Sequence, residues 1–144
     1  MGTEPMLNES RWRRRARWGV ALAFLIGGSL HFIATDTETK LVPAFFPWRH
    51  GLVLLSGVAE IVGALGLLHP RTRRPATYGL AALLVAVFPA NINHAINNIQ
   101  IGAAPAPALY HWLRLPAQPL FVGLVLWVGG VWRGPQRGRT GATR

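Results

Sequence analysis

Four long apolar stretches set the fold that this chain of 144 residues can adopt. They cover about residues 18–34, 51–68, 75–96 and 116–132. Because about 18 apolar residues in a helix are enough to cross the hydrocarbon core of a bilayer, each stretch is a candidate span. Charged residues make up only 14% of the sequence, against roughly 25% in soluble domains. The sequence therefore predicts an all-α fold, a bundle of four transmembrane helices in a multi-pass cell-membrane protein of bacterial inner-membrane type.

The arginines predict which way the bundle faces. The net charge is +10, and twelve of the fifteen basic residues lie before the first stretch, between the second and third, or after the fourth. Only Lys40, Arg49 and Arg114 lie on the other side. The positive-inside rule then places both termini in the cytoplasm. We expect a basic segment over 1–16, a membrane domain over 17–132 and a basic tail over 133–144, with the lipid bilayer rather than nucleic acid as the partner of this charge.

A cleaved signal peptide over residues 11–34 is the alternative for the first stretch. A basic segment followed by an apolar one fits such a peptide. The sequence from His31 to Ala34 does not, because Phe32 stands where a cleavage site after Ala34 needs a small residue. We therefore expect the first stretch to stay in the protein as a helix.

Glu60 is the one acidic residue inside the four stretches, and it lies near the middle of the second. A carboxylate at that depth costs about 2.5–3.5 kcal/mol on insertion scales, and such residues usually mark function. Polar residues from all four stretches fall in the same outer half of the bundle. The candidate ligand-binding residues are His31, Glu60, Asn91, His94, Arg114 and Gln118. We expect them to border an outward-opening pocket with Glu60 as its floor, and we expect Glu60 and Arg114 to be coupled, directly or through Gln118, His31 or His94.

Each of these residues also has a purely structural interpretation. Glu60 could be a neutral acid bonded to a helix backbone, and the histidines could cap or cross-link helices. The asparagines could lie at the water interface, and Arg114 could extend to lipid phosphates. Pro89 should release the carbonyl of Val85 from its helical partner, which the asparagines after it could satisfy. What favours a shared site is that four different helices contribute to one layer.

Five short motifs in order along the chain resemble the DoxX family. They are Gly27-Gly-Ser-Leu-His31-Phe32, Pro43 through Pro47-Trp48, Ser56-Gly57-Val-Ala-Glu60-Ile61, Phe88-Pro89-Ala90-Asn91 and Leu113-Arg114-Leu115-Pro116-Ala-Gln118. The resemblance implies a four-helix integral membrane protein, related to small subunits linked to quinol oxidation and to membrane oxidoreductase complexes. It carries over no catalytic residue.

Three functions remain open from the sequence. The first is a quinone or quinol site in a membrane redox system, with His31, Glu60 and His94 exchanging protons and Arg114 stabilising a developing anion. The second is a non-enzymatic accessory or assembly subunit for another membrane protein. The third is transport, which a unit of four helices without an inverted repeat does not favour.

The chain has no cysteine, no metal site is predicted, and haem ligation by two histidines is disfavoured by the polar surroundings. The cofactor stays unknown, with quinone as the candidate, and whether the protein is an enzyme is left open.

Overall fold

The computed structural model describes residues 10–100 and 107–132, and these residues form helices and short connections without any strand. The helices are α1 (Arg11–Ile33), α2 (Thr35–Thr39), α3 (Arg49–Leu68), α4 (Arg73–Ala86), α5 (Phe88–Ile96) and α6 (Ala108–Val128). Three segments of the described chain are long and apolar enough to cross a membrane. They are Arg11–Ile33, Arg49–Leu68 and Arg73–Ile96, the last comprising α4 and α5. The predicted all-helical fold is confirmed, and α6 does not meet the same criterion of apolarity.

The first helix begins earlier than the first apolar stretch. Ser10 caps α1 by accepting a hydrogen bond from the backbone N–H of Arg13 at 3.2 Å. The arginines that the sequence placed before the first span are therefore helical, and the predicted boundary at residue 16 falls inside α1. Arg17 is buried, and its Nε donates to the carbonyl of Val128 at 3.0 Å. This bond satisfies a carbonyl at the end of α6 that has no partner within its own helix.

The third apolar stretch is broken at Val87, between α4 and α5. Pro89 in the first turn of α5 lacks a backbone N–H, so the helical ladder is interrupted there. The side chain of Gln118, on α6, donates a hydrogen bond to the carbonyl of Leu84 beside this break. The asparagines were expected to satisfy the backbone here, but a glutamine from the neighbouring helix does so at Leu84.

The last helix starts eight residues before the fourth apolar stretch. It begins at Ala108, after Pro107, and both Pro116 and Pro119 lie inside it. Each proline removes one intrahelical hydrogen bond, yet the helix continues to Val128. Because its first half also carries His111, Arg114 and Gln118, α6 is less apolar than the three candidate spans. Crossing of the membrane by α6 is therefore a proposal, taken up below.

The helices pack in a ring: α1 on α3, α3 on α4, α4 and α5 on α6, and α6 on α1. The contact of α1 with α3 is the most extensive and uses glycines on both sides. A Cβ atom at Gly28 would lie 2.8 Å from the carbonyl oxygen of Gly57, so the two backbones touch. The apolar core fills the end of the bundle where the arginine-rich helix ends meet. Its buried residues are Val20, Ala21, Phe24, Ala64, Leu67, Leu80, Val125 and Val128.

Candidate functional site

A cavity of about 1010 Å³ lies between the helices at the end of the bundle opposite this core. Most of its walls are aliphatic or aromatic side chains, such as Leu52, Val87 and Phe121. Five of the six predicted ligand-binding residues line it. They are His31, Glu60, Asn91, Arg114 and Gln118. We call this space the central cavity; it has apolar walls and two separate polar patches.

The first patch, which we call the acidic patch, consists of His31, Glu38 and Glu60. His31 Nε2 lies 3.4 Å from Glu60 Oε1, and His31 Nδ1 pairs with Glu38 Oε2. The three side chains come from α1, α2 and α3 and are 21%, 17% and 15% exposed. His31 therefore links three helices, and its partners are side-chain carboxylates rather than the helix backbone.

Glu38 was missed by the sequence analysis because it lies outside the apolar stretches. It belongs to the short α2, which follows α1 after a single residue, Ala34. Its position seven residues after His31, two turns along a helix, is the signal that could have indicated the contact. It also lines the central cavity.

The carboxylate of Glu60 fits into a gap on α1 that glycine provides. A Cβ atom at Gly27 would lie 2.9 Å from Glu60 Oε2. Any side chain at residue 27 would therefore push against the carboxylate of Glu60. The gap holds Glu60 between α1 and α3, where it reaches both His31 and the central cavity.

The second patch, which we call the amide patch, consists of Asn91, Arg114 and Gln118. Asn91 Nδ2 donates to Gln118 Oε1 at 2.6 Å, while the Gln118 amide nitrogen donates to the backbone of α4. Arg114 Nη1 lies 3.2 Å from His94 Nδ1, and its guanidinium stands 5.9 Å from the centre of the Tyr110 ring. Arg114 has five N–H donors, so one contact with His94 leaves others for the cavity.

His94, the sixth predicted residue, lies behind Arg114 and is not among the residues that line the cavity. Its ring packs 4.2 Å from that of His111, and both side chains are buried. Because His94 Nδ1 accepts from Arg114, the neutral ring carries its proton on Nε2. His111 was missed because it lies five residues before the fourth apolar stretch, which starts at Pro116.

The predicted coupling of Glu60 with Arg114 takes a different form in the structure. Glu60 pairs with His31, and Arg114 pairs with His94. No salt bridge joins Glu60 to Arg114, both of which the structure describes. The two charges therefore belong to separate polar patches of one cavity. Within residues 10–100 and 107–132, no group of three or more acidic or histidine side chains is placed to hold a metal ion.

Comparison with known protein families places the chain in one of them. The model of a domain of unknown function, DUF8561, matches residues 20–131, which is most of the chain and includes the whole central cavity. The chain therefore belongs to this family. No curated protein and no solved structure matches the chain.

The resemblance to DoxX is wrong, because the family model that matches is DUF8561 and not DoxX. Each motif behind the resemblance is a short run of small residues, prolines and aromatics with one polar residue. Membrane helix bundles favour these residue types for close packing and at their interfaces, whatever the family. Motifs of this kind, even in this order, are therefore not specific to one family.

Proposed function

We propose that this DUF8561 member crosses the cell membrane four times, with both termini in the cytoplasm, and that its central cavity binds a lipophilic molecule with a polar head. Quinone or quinol in a membrane redox system is the first candidate ligand. The proposal places the cavity in the outer half of the membrane, because the arginine-rich helix ends lie at the opposite end of the bundle.

The central cavity itself carries this proposal. Polar groups that served only to join helices would be expected to pack against one another, since unsatisfied polar groups in a bilayer are costly. Here Glu60 and Arg114 border a space of about 1010 Å³ with apolar walls. Ligand sites of drug-sized molecules are about 300–1,000 Å³, mostly apolar, with a few polar groups that fix orientation.

The two patches suit a head group that needs hydrogen bonds on two sides. A quinone presents two carbonyl oxygens on opposite edges of an apolar ring. Arg114 on the amide patch can donate to one of them. His31 and Glu60 on the acidic patch can exchange a proton with the other. Leu30, Val53 and Leu83 are among the apolar residues that would contact the ring or tail.

A second candidate is an accessory or assembly subunit for another membrane protein. The observation in its favour is Gln118, which uses both its amide oxygen and its amide nitrogen to join α5, α4 and α6. Part of the polar layer thus stabilises the bundle without any ligand. In that case a partner would bind along an outer helix face, and the cavity would hold only lipid.

Titration of the purified protein with a short-chain quinone tests the ligand proposal. We expect binding in mild detergent by calorimetry, and Arg114→Gln should weaken it by about tenfold or more, because a hydrogen bond from a charged donor is worth about 1.5–3 kcal/mol. Arg49→Gln removes the same charge at the start of α3, away from the cavity lining, and should leave affinity unchanged.

Mass spectrometry after mild extraction separates the two functions. A retained quinone supports the ligand proposal. Absence of quinone binding together with a larger membrane protein at fixed stoichiometry would replace it with the assembly function. Equal weakening by Arg114→Gln and Arg49→Gln would show that the cavity does not hold the head group.

A further inference from the structure

Three titratable side chains stand in series at the acidic patch. One imidazole nitrogen of His31 faces Glu38 and the other faces Glu60 at 3.4 Å. Each carboxylate comes from a different helix, and both line the central cavity. Each side chain of the series contacts the next one directly.

The two carboxylates lie at different depths in the bundle. Glu38 is on α2, whose neighbouring Asp36 has a fully exposed side chain 4.0 Å from His50. Glu60 is eleven residues beyond Arg49, the first residue of α3, and a helix rises 1.5 Å per residue. Glu60 therefore lies about 16 Å along the axis of α3 from its start. Glu38 lies two residues after Asp36 and is itself 17% exposed, so the series begins close to the exposed layer and ends at Glu60.

We propose that Glu38, His31 and Glu60 form a proton relay along the wall of the central cavity, from the exposed layer near α2 to Glu60. In the inward step, the carboxyl group of Glu38 gives its proton to His31 Nδ1, while His31 Nε2 gives its proton to the carboxylate of Glu60. Glu38 ends as a carboxylate, Glu60 as a carboxylic acid, and the ring remains neutral with its proton on the other nitrogen. The reverse step restores the starting state.

Imidazole is the side chain that this arrangement needs. A neutral imidazole has one nitrogen that donates and one that accepts, so it can take a proton on one side while releasing one on the other. The other charged groups around His31 do not replace its partners. Arg114 belongs to the opposite patch, and Asp36 and His50 lie in the exposed layer beyond Glu38. The relay depends on these three side chains and not on which molecule occupies the cavity.

Time-resolved infrared spectroscopy after photolysis of a caged proton tests the relay in purified protein. The signal is the carboxylic acid carbonyl band of Glu60, identified by its loss in Glu60→Gln. We expect Glu38→Gln to slow the appearance of this band by about a hundredfold, the lower part of what a positioned acid or base contributes. The final extent of protonation should remain measurable, because Glu60 itself is intact. His31→Gln should slow the band as well.

Asp36→Asn is the matched control, because it removes the same charge from the same short helix without touching His31. It should leave the rate unchanged. An equal slowing by Asp36→Asn and Glu38→Gln would overturn the relay, since loss of surface charge alone would then explain both. So would an unchanged rate in Glu38→Gln, which would mean that cavity water delivers the proton. Failure of Glu60 to protonate at any pH in the unmodified protein would leave the relay without an acceptor and reject it.

Discussion

Gln118 is the single residue on which most of the polar packing at the helix break depends. It accepts from Asn91 and donates to the carbonyl of Leu84, three residues before the break at Val87. Gln118→Leu replaces the amide by an apolar side chain of similar size and removes both bonds. We expect a loss of about 1–3 kcal/mol in the free energy of unfolding for each group left buried and unpaired. Thermal unfolding in detergent, followed by circular dichroism, measures it.

Asn97→Leu serves as the control for this change. Asn97 is exposed, and its amide bonds only to Asn93 within the same helix end. Its substitution should change stability by less than about 0.5 kcal/mol. Equal losses in the free energy of unfolding for the two variants would mean that the bond from Gln118 to α4 does not contribute to stability.

At this same scale, the polar residues inside the apolar stretches could be picked out from the sequence, but their pairing could not. Glu60 and Asn91 were found because a polar residue inside an apolar stretch is conspicuous. That Glu60 pairs with His31 depends on the rotation of α1 against α3, which Gly27 permits and which no helical period reveals. Glu38 was missed for a related reason, since it lies in a polar segment where an acidic residue attracts no notice.

Among the elements, the crossing of α1 and α3 is the one that holds the acidic patch together. Gly28 and Gly57 bring the two backbones into contact, and a Cβ atom at Gly28 would also lie 2.9 Å from Ile61 Cγ1. Gly28→Ala should therefore separate the helices and lower the free energy of unfolding by about 1–3 kcal/mol, the usual range for overpacking. Gly19→Ala, on the same helix, meets nothing within 4 Å and should not destabilise the protein. Equal melting temperatures for the two variants would contradict the close crossing.

The helix boundaries show that one proline separates two helices while two others lie inside a helix. Pro89 was expected to break the third stretch, and α4 and α5 do separate just before it. The fourth apolar stretch starts at Pro116, and its helix was expected to begin close to it. The start instead follows another proline, Pro107, and α6 passes through Pro116 and Pro119. Proline alone does not distinguish these cases, because contacts with neighbouring helices decide whether the ladder resumes.

On the scale of the whole molecule, the number of membrane spans determines where each group described above lies relative to the bilayer. Three segments are apolar enough to cross, and α6 carries His111, Arg114 and Gln118 in its first half. In the bundle these three polar residues face the interior: His111 and Gln118 are buried, and Arg114 lines the central cavity. Leu120, on the same helix, is 76% exposed, as a lipid-facing residue would be. The average apolarity of α6 therefore understates how well its outer face suits lipid.

Reporter fusions at two points of the chain distinguish four spans from three. With four spans and both termini inside, a reporter fused after Arg144 should be active only in the cytoplasm, and one fused after Gln100 only outside the membrane. The physical reason is the arginine count: twelve basic residues flank the ends assigned to the cytoplasm, and three flank the others. If α6 did not cross, both fusions would report the same compartment. That result would move Arg144 to the side of Gln100 and leave the central cavity with a wall that does not span the bilayer.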